Sequence, residues 1–266
     1  MIRTSLRLDL RRSRLLTVWL LVIVVLYAGF IAYFYPVVRD NTSAVDGYLK
    51  LLPKGMLAAF GLTGSLSDPG VFYASYVGSF LWPLIAAIAG IGLATRLGSD
   101  AERGFLDLPL ATGISRTAYL AAATVDQLVV LAVLAAGTVL GFLGAGWIAG
   151  AGFDAPPFLL TLPQTFVFGA AIAGVTTFVT AATLSRGMAA GIVGGVLVAM
   201  YLVQIIAQLQ PDLDGIAAIS VFHYLRLGAA IDARAIELGS VGLLSGIAVA
   251  GYALAFVAFR RRDLAA

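Results

Sequence analysis

Six stretches of this chain stay apolar over enough residues to cross a hydrocarbon core about 30 Å thick, which takes about 20 helical residues. They fall at 15–35, 71–95, 128–149, 162–184, 188–209 and 241–259, and none shows the strict alternation of a half-buried strand. In lipid, backbone polar groups must be satisfied within the segment or by a closed barrel, so these runs predict six transmembrane helices and an all-α fold. Six spans put both termini on the same side.

Outside these runs, three stretches stand out. The opening "MIRTSLRLDLRRSRLL" sets Ile2, Leu6 and Leu10 along one helical stripe, which predicts an interfacial helix over 1–14 in the headgroup layer. The plainer alternative is a merely basic N-terminus that fixes orientation, and the two are compatible. The first run exceeds a signal-peptide core and no small-residue cleavage site follows Tyr35, so it is expected to be retained. Between spans 5 and 6, "ISVFHYLRLGAAI" is too short to cross and too apolar for a free loop, and is expected to be a re-entrant helix protected by protein.

The third stretch, "SDAERGFLDLPLATGISR" at 99–116, joins spans 2 and 3. Ser99 and Glu102 have capping-box spacing, which predicts a helix start at Ser99. Arg103 and Asp107 lie four apart, Phe105 and Leu108 form a small apolar face, and Pro109 should end the helix after about two turns. Gly113 permits a turn, and Ser115 can cap the helix returning to span 3. So short a helix needs a surface to lie on, either the membrane or a partner.

Composition narrows the class. The chain is 61% hydrophobic and 12% charged, against roughly 25% charged residues in an average soluble domain, so it is a membrane protein. It has no cysteine and one histidine, His223, which removes disulfides, thiolate metal sites and histidine clusters, and no metal site is expected. One set of flanks carries Arg3, Arg7, Arg11, Arg12, Arg14, Arg96, Arg103, Arg116, Arg186 and the arginines at 260–262; the other holds Arg39, Lys50, Lys54, Arg226 and Arg234. The arginine-rich side is therefore expected to be cytoplasmic, with both termini there, in a multi-pass inner-membrane protein.

The loop residues now carry a resemblance. "DAERGFLDLPLATGISR" resembles the cytoplasmic signature of ABC-2 type permeases, with Glu102, Gly104, Leu106, Leu108, Ser115 and Arg116 on the pattern. "LPKGMLAAFGLTGSLSDPGVFYASYVGSFLWPL", Leu52 to Leu84, is similar to the external segment and second span of permeases often called drug or antibiotic exporters, and "FRRRDL" to the family's usual C-terminus. The likeness covers most of the chain. It implies one transmembrane domain over 1–266 in which 99–116 is a coupling helix received by a separate ABC ATP-binding subunit. Glu102, Arg103, Gly104, Phe105, Leu106, Leu108, Ser115 and Arg116 are then the ATPase-coupling residues. It further implies a second copy of this chain or a homologous permease, with ATP and Mg supplied through the partner subunit. No nucleic acid partner is expected.

The sequence tests one part of this unaided. It contains no G-x-x-x-x-G-K-[ST] phosphate loop, so ATP hydrolysis is not expected of this chain and no cofactor is assigned to it.

Other polar residues have two readings. Tyr201, Gln204 and Gln208 share a face near the outer end of span 5, where they either line a substrate path or bond neighbouring helices. Asp126 and Gln127 precede a run that already spans, and are placed at the membrane interface. Pairs such as Gly137 with Gly141, Gly187 with Gly191 and Gly195, and Gly242 with Gly246 predict close helix packing. Intramembrane proteolysis fails because Ser115 and His223 fall on opposite sides and no H-E-x-x-H occurs. The expected function is export of a hydrophobic or amphipathic substrate. The alternative, an ion-coupled secondary transporter, would need midplane carboxylates or broken helices in matching halves.

Overall fold

A computed structural model describes residues 2–53, 56–57, 62, 64–106, 114–209 and 214–261, with backbone only for 2–12 and 214. Among the described residues six helices are long and apolar enough to cross a membrane: Ser13–Asp40, Pro69–Glu102, Arg116–Ile148, Ala155–Thr183, Arg186–Leu209 and Leu238–Arg261, here the first to sixth spans. No strand occurs among the described residues. Several helices overrun the apolar stretches, because helix propagation continues wherever no breaker intervenes and polar residues near the ends can be solvated.

The N-terminus illustrates this. One helix runs unbroken from Ile2 to Asp40, so the segment expected to form a separate interfacial helix extends the first span instead. No glycine or proline precedes Gly29 to end it. The third span starts at Arg116 because Ser115 caps it as expected, its Oγ accepting from the Ala118 amide at 3.2 Å.

Burial ranks the helices. In its apolar stretch the fourth span is 67% buried and the fifth 17%, so the fourth is the axis of the bundle and the fifth lies outermost. The first span packs along the third, and the fourth along the sixth. Glycines set both approaches: a Cβ at Gly174 would lie 2.7 Å from the Ala248 carbonyl oxygen, and one at Gly141 would lie 3.2 Å from Val25 Cα. The other glycine pairs make no close approach within the chain. Gly187, Gly191, Gly195, Gly242 and Gly246 have no neighbour within 4 Å of such a Cβ, so they face out of the bundle.

The second span is irregular at three points. Asp68 caps its start, accepting from Gly70 and Val71 amides at 2.7 and 3.1 Å. A π-helical turn, Ala74–Leu81, interrupts it before Pro83, which cannot donate the α-type bond to Ser79. At Thr95 the helix bends into a seven-residue helix, Arg96–Glu102.

The segment 219–231, expected as one re-entrant helix, is two short pieces, a 3-10 turn at Val221–Tyr224 and a helix at Leu227–Asp232, and a turn of helix at Asp214–Ala217 precedes it. Non-helical backbone at Leu225 and Arg226 separates the two pieces. Leu227 is buried over Gly78 in the π-helical turn, where a Cβ would meet its Cδ1 at 3.2 Å.

Candidate functional site

The helix Arg96–Glu102 is the structural form of the polar stretch between spans 2 and 3. It continues from the second span, so Ser99 lies inside it and does not cap it. The expected capping box is therefore absent, since a capping serine must stand outside the helix. Glycine sets the other end. Gly104 has φ +69°, the Phe105 amide donates to the Asp100 carbonyl at 2.8 Å and the Gly104 amide to that of Ala101 at 3.1 Å. This Schellman geometry stops the helix before the expected break at Pro109. Asp107, Leu108, Pro109 and Gly113 lie outside the described residues, as do the expected Arg103–Asp107 pair and the docking role of Leu108.

Glu102 caps a different helix. Its Oε1 accepts from Ser185 Oγ at 2.8 Å and from the Arg186 amide at 2.9 Å, at the start of the fifth span. Only Leu184 and Ser185 separate the fourth and fifth spans, so this carboxylate grips their shared corner. A negative charge there meets the positive end of the helix dipole. Gly98 permits the approach: a Cβ at that position would lie 2.7 Å from the Arg186 nitrogen.

The same short helix is tied to the third span, where Tyr119 donates its hydroxyl proton to Asp100 Oδ2 at 2.7 Å. Leu97, Leu106, Tyr119, Leu120, Ala181, Ala255 and Phe259 form a small core beneath it, separate from the main one. Leu106 is thus an anchor into the bundle, whereas Arg103 and Phe105 are exposed. Arg116, also on the expected coupling surface, is half-buried.

Asp126 and Gln127, expected at the membrane interface, are packed between helices. Neighbouring helices bury both: Asp126 accepts from Ser13 Oγ at 2.7 Å and pairs with Arg96 at 3.5 Å, while Gln127 Oε1 accepts from Thr177 at 3.0 Å and Tyr252 at 3.1 Å. Two consecutive residues of the third span thereby reach the first, second, fourth and sixth. A buried charge is retained only when paired and hydrogen-bonded, and this one is. The signal for it was in the sequence, as an acid and an amide side by side ahead of an apolar run. A cleft of about 560 Å³ opens between this cluster and the short helix.

At the opposite end, Tyr201, Gln204 and Gln208 line one cavity of about 420 Å³ together with Ser79, Phe222, His223 and Arg226. The Tyr201 and Phe222 rings meet edge to face at 5.3 Å. Gln204 Oε1 is buried without a hydrogen-bond partner.

Together these features define a multi-pass α-helical membrane protein with a short helix at its arginine-rich end and a cavity at the other. The chain belongs to the ABC-2 family of transporter proteins, whose family profile matches residues 7–264. It is accordingly a membrane permease subunit of an ABC transporter, the transport component and not itself the catalytic ATPase, and such subunits associate with an ABC ATP-binding subunit. A comparison with curated proteins finds no match.

Proposed function

We propose that this chain is the permease of an exporter in the inner membrane, with its arginine-rich end and both termini in the cytoplasm. The ATP-binding subunit docks on the loop 99–116, where Phe105 and Arg103 offer exposed apolar and charged contacts. ATP and Mg belong to that partner. Two copies of the chain form the transport unit, and a hydrophobic or amphipathic substrate passes along Tyr201, Gln204 and Gln208.

One observation supports this reading above the others: the helix Arg96–Glu102 is fastened to the fifth span through Glu102 and to the third through Asp100. A push on the loop is carried as a rigid-body displacement to the span that lines the far cavity, since packed helices shift as units and do not deform continuously. Asp126, held by Ser13 and Arg96, is ill suited to the ion coupling a secondary transporter would need.

The absence of native cysteine makes the test direct. Phe105→Cys, with a bifunctional reagent, should cross-link to the co-expressed ATP-binding subunit, and Arg103→Cys should resist impermeant thiol reagents applied outside intact cells. Outside labelling of Arg103→Cys, or no cross-link from Phe105→Cys, would refute the docking assignment.

A further inference from the structure

We propose that the outer cavity selects amphiphiles bearing an anionic group, a carboxylate or phosphate ester, and discriminates against lipophilic cations. This rests on reading that cavity as the substrate path.

The charge pattern carries the argument. Three arginines belong to this end of the molecule. Arg39 pairs with Asp40 at 3.0 Å and Arg234 with Asp154 at 2.6 Å. Arg226 lines the cavity and makes no ion pair among the described residues; its guanidinium instead approaches His223 Nε2 at 3.5 Å. No carboxylate lines the cavity among the described residues. Among the described residues a bound cation would meet a guanidinium and no lining carboxylate, whereas an anion would add a partner for it, and guanidinium binds carboxylate or phosphate in a bidentate fork.

The remaining lining completes an amphiphile site. Gln204 Oε1 is a buried acceptor with no hydrogen-bond partner, open to a hydroxyl or N–H donor elsewhere on the amphiphile. A polar ligand group would satisfy it. Pro83, Ile205, Phe222 and Leu227 supply an apolar wall for an alkyl or aromatic tail. The volume, about 420 Å³, lies within the range of small-molecule pockets.

The test uses the full transporter in nanodiscs and two fluorescent probes of equal chain length. One is a dansyl-labelled undecanoate; in the other a quaternary ammonium replaces the carboxylate. The carboxylate probe should bind at least tenfold more tightly than the ammonium probe. Arg226→Gln should remove that preference, Arg226→Lys should keep most of it, and Gln204→Ala should weaken whichever probe occupies the cavity. Equal binding of both probes, still sensitive to Gln204→Ala, would overturn the charge selection while leaving the cavity as the path. Binding insensitive to both Gln204→Ala and Tyr201→Ala would overturn the path reading and this inference with it. Arg226 is exposed and makes no side-chain cap, so its variants should fold.

Discussion

Replacing Glu102 with alanine separates a structural loop from a mechanical one. The carboxylate accepts two hydrogen bonds at the head of the fifth span, from Ser185 Oγ and the Arg186 amide. A lost helix cap costs about 1 kcal/mol, and the charge at the helix N-terminus adds about 0.3–1 kcal/mol. Two features hold the total near the lower figure. Glu102 is exposed, so solvent screens its charge, and Ser185 Oγ still accepts weakly from the Met188 amide at 3.4 Å. A loss of about 1 kcal/mol corresponds to roughly fivefold more frequent opening. Hydrogen exchange at the amides of 186–189 should therefore accelerate about fivefold in Glu102→Ala, while amides at the centre of the fourth span stay unchanged. Glu102→Gln keeps an acceptor and should fall between. In reconstituted complexes the alanine variant should hydrolyse ATP with less transport per ATP. Unchanged exchange at 186–189 would refute the cap, and an unchanged transport ratio with accelerated exchange would refute its role in transmission.

Three further substitutions probe neighbouring contacts. Asp126→Ala leaves Arg96 facing the bundle without its carboxylate, and the partial exposure of Arg96 moderates the penalty to about 2 kcal/mol in denaturation of the purified chain; the double variant Arg96→Leu with Asp126→Leu should recover most of it. Gly98→Ala drives a methyl group against Ser185 and Arg186 backbone atoms that cannot rotate away, so it should destabilise by about 1–3 kcal/mol and lower coupled transport. At the outer end, burial and then the negative charge of Asp68 raise the Asp232 carboxyl above its ordinary value. A raised acid weakens the fold as pH climbs from the unfolded-state value through the folded one, so Asp232→Asn should raise the melting temperature at pH 7 and lose that advantage in acid. A lower melting temperature at pH 7 would contradict the assignment.

Much of the local architecture was legible before any coordinate was known. Ser115 caps the third span because a serine ahead of a helical run satisfies an amide three residues on, wherever the rest of the chain lies. Gly104 lies on the loop pattern, but a glycine signals only that a left-handed turn is allowed, and the early helix stop it enforces is visible in the backbone alone. The Ser99 and Glu102 spacing was misleading for a related reason. A capping box specifies which residues can pair, and the second span, by continuing through the bend at Thr95 into the short helix, left no helix start at Ser99 for them to cap.

By itself the sequence determined the six crossings, their helical nature and the uneven arginine distribution, because a bilayer imposes its conditions segment by segment on length and polarity. It also determined that no phosphate loop is present. Only the tertiary structure decided that Glu102 serves a helix starting 84 positions later, that Asp126 is held by a serine 113 positions away, and that Pro83, Gln204 and Arg226 share one cavity. Those pairings depend on which helices become neighbours. Apolar outer faces all satisfy lipid equally well, so only close-packed glycines and buried polar partners choose among the arrangements.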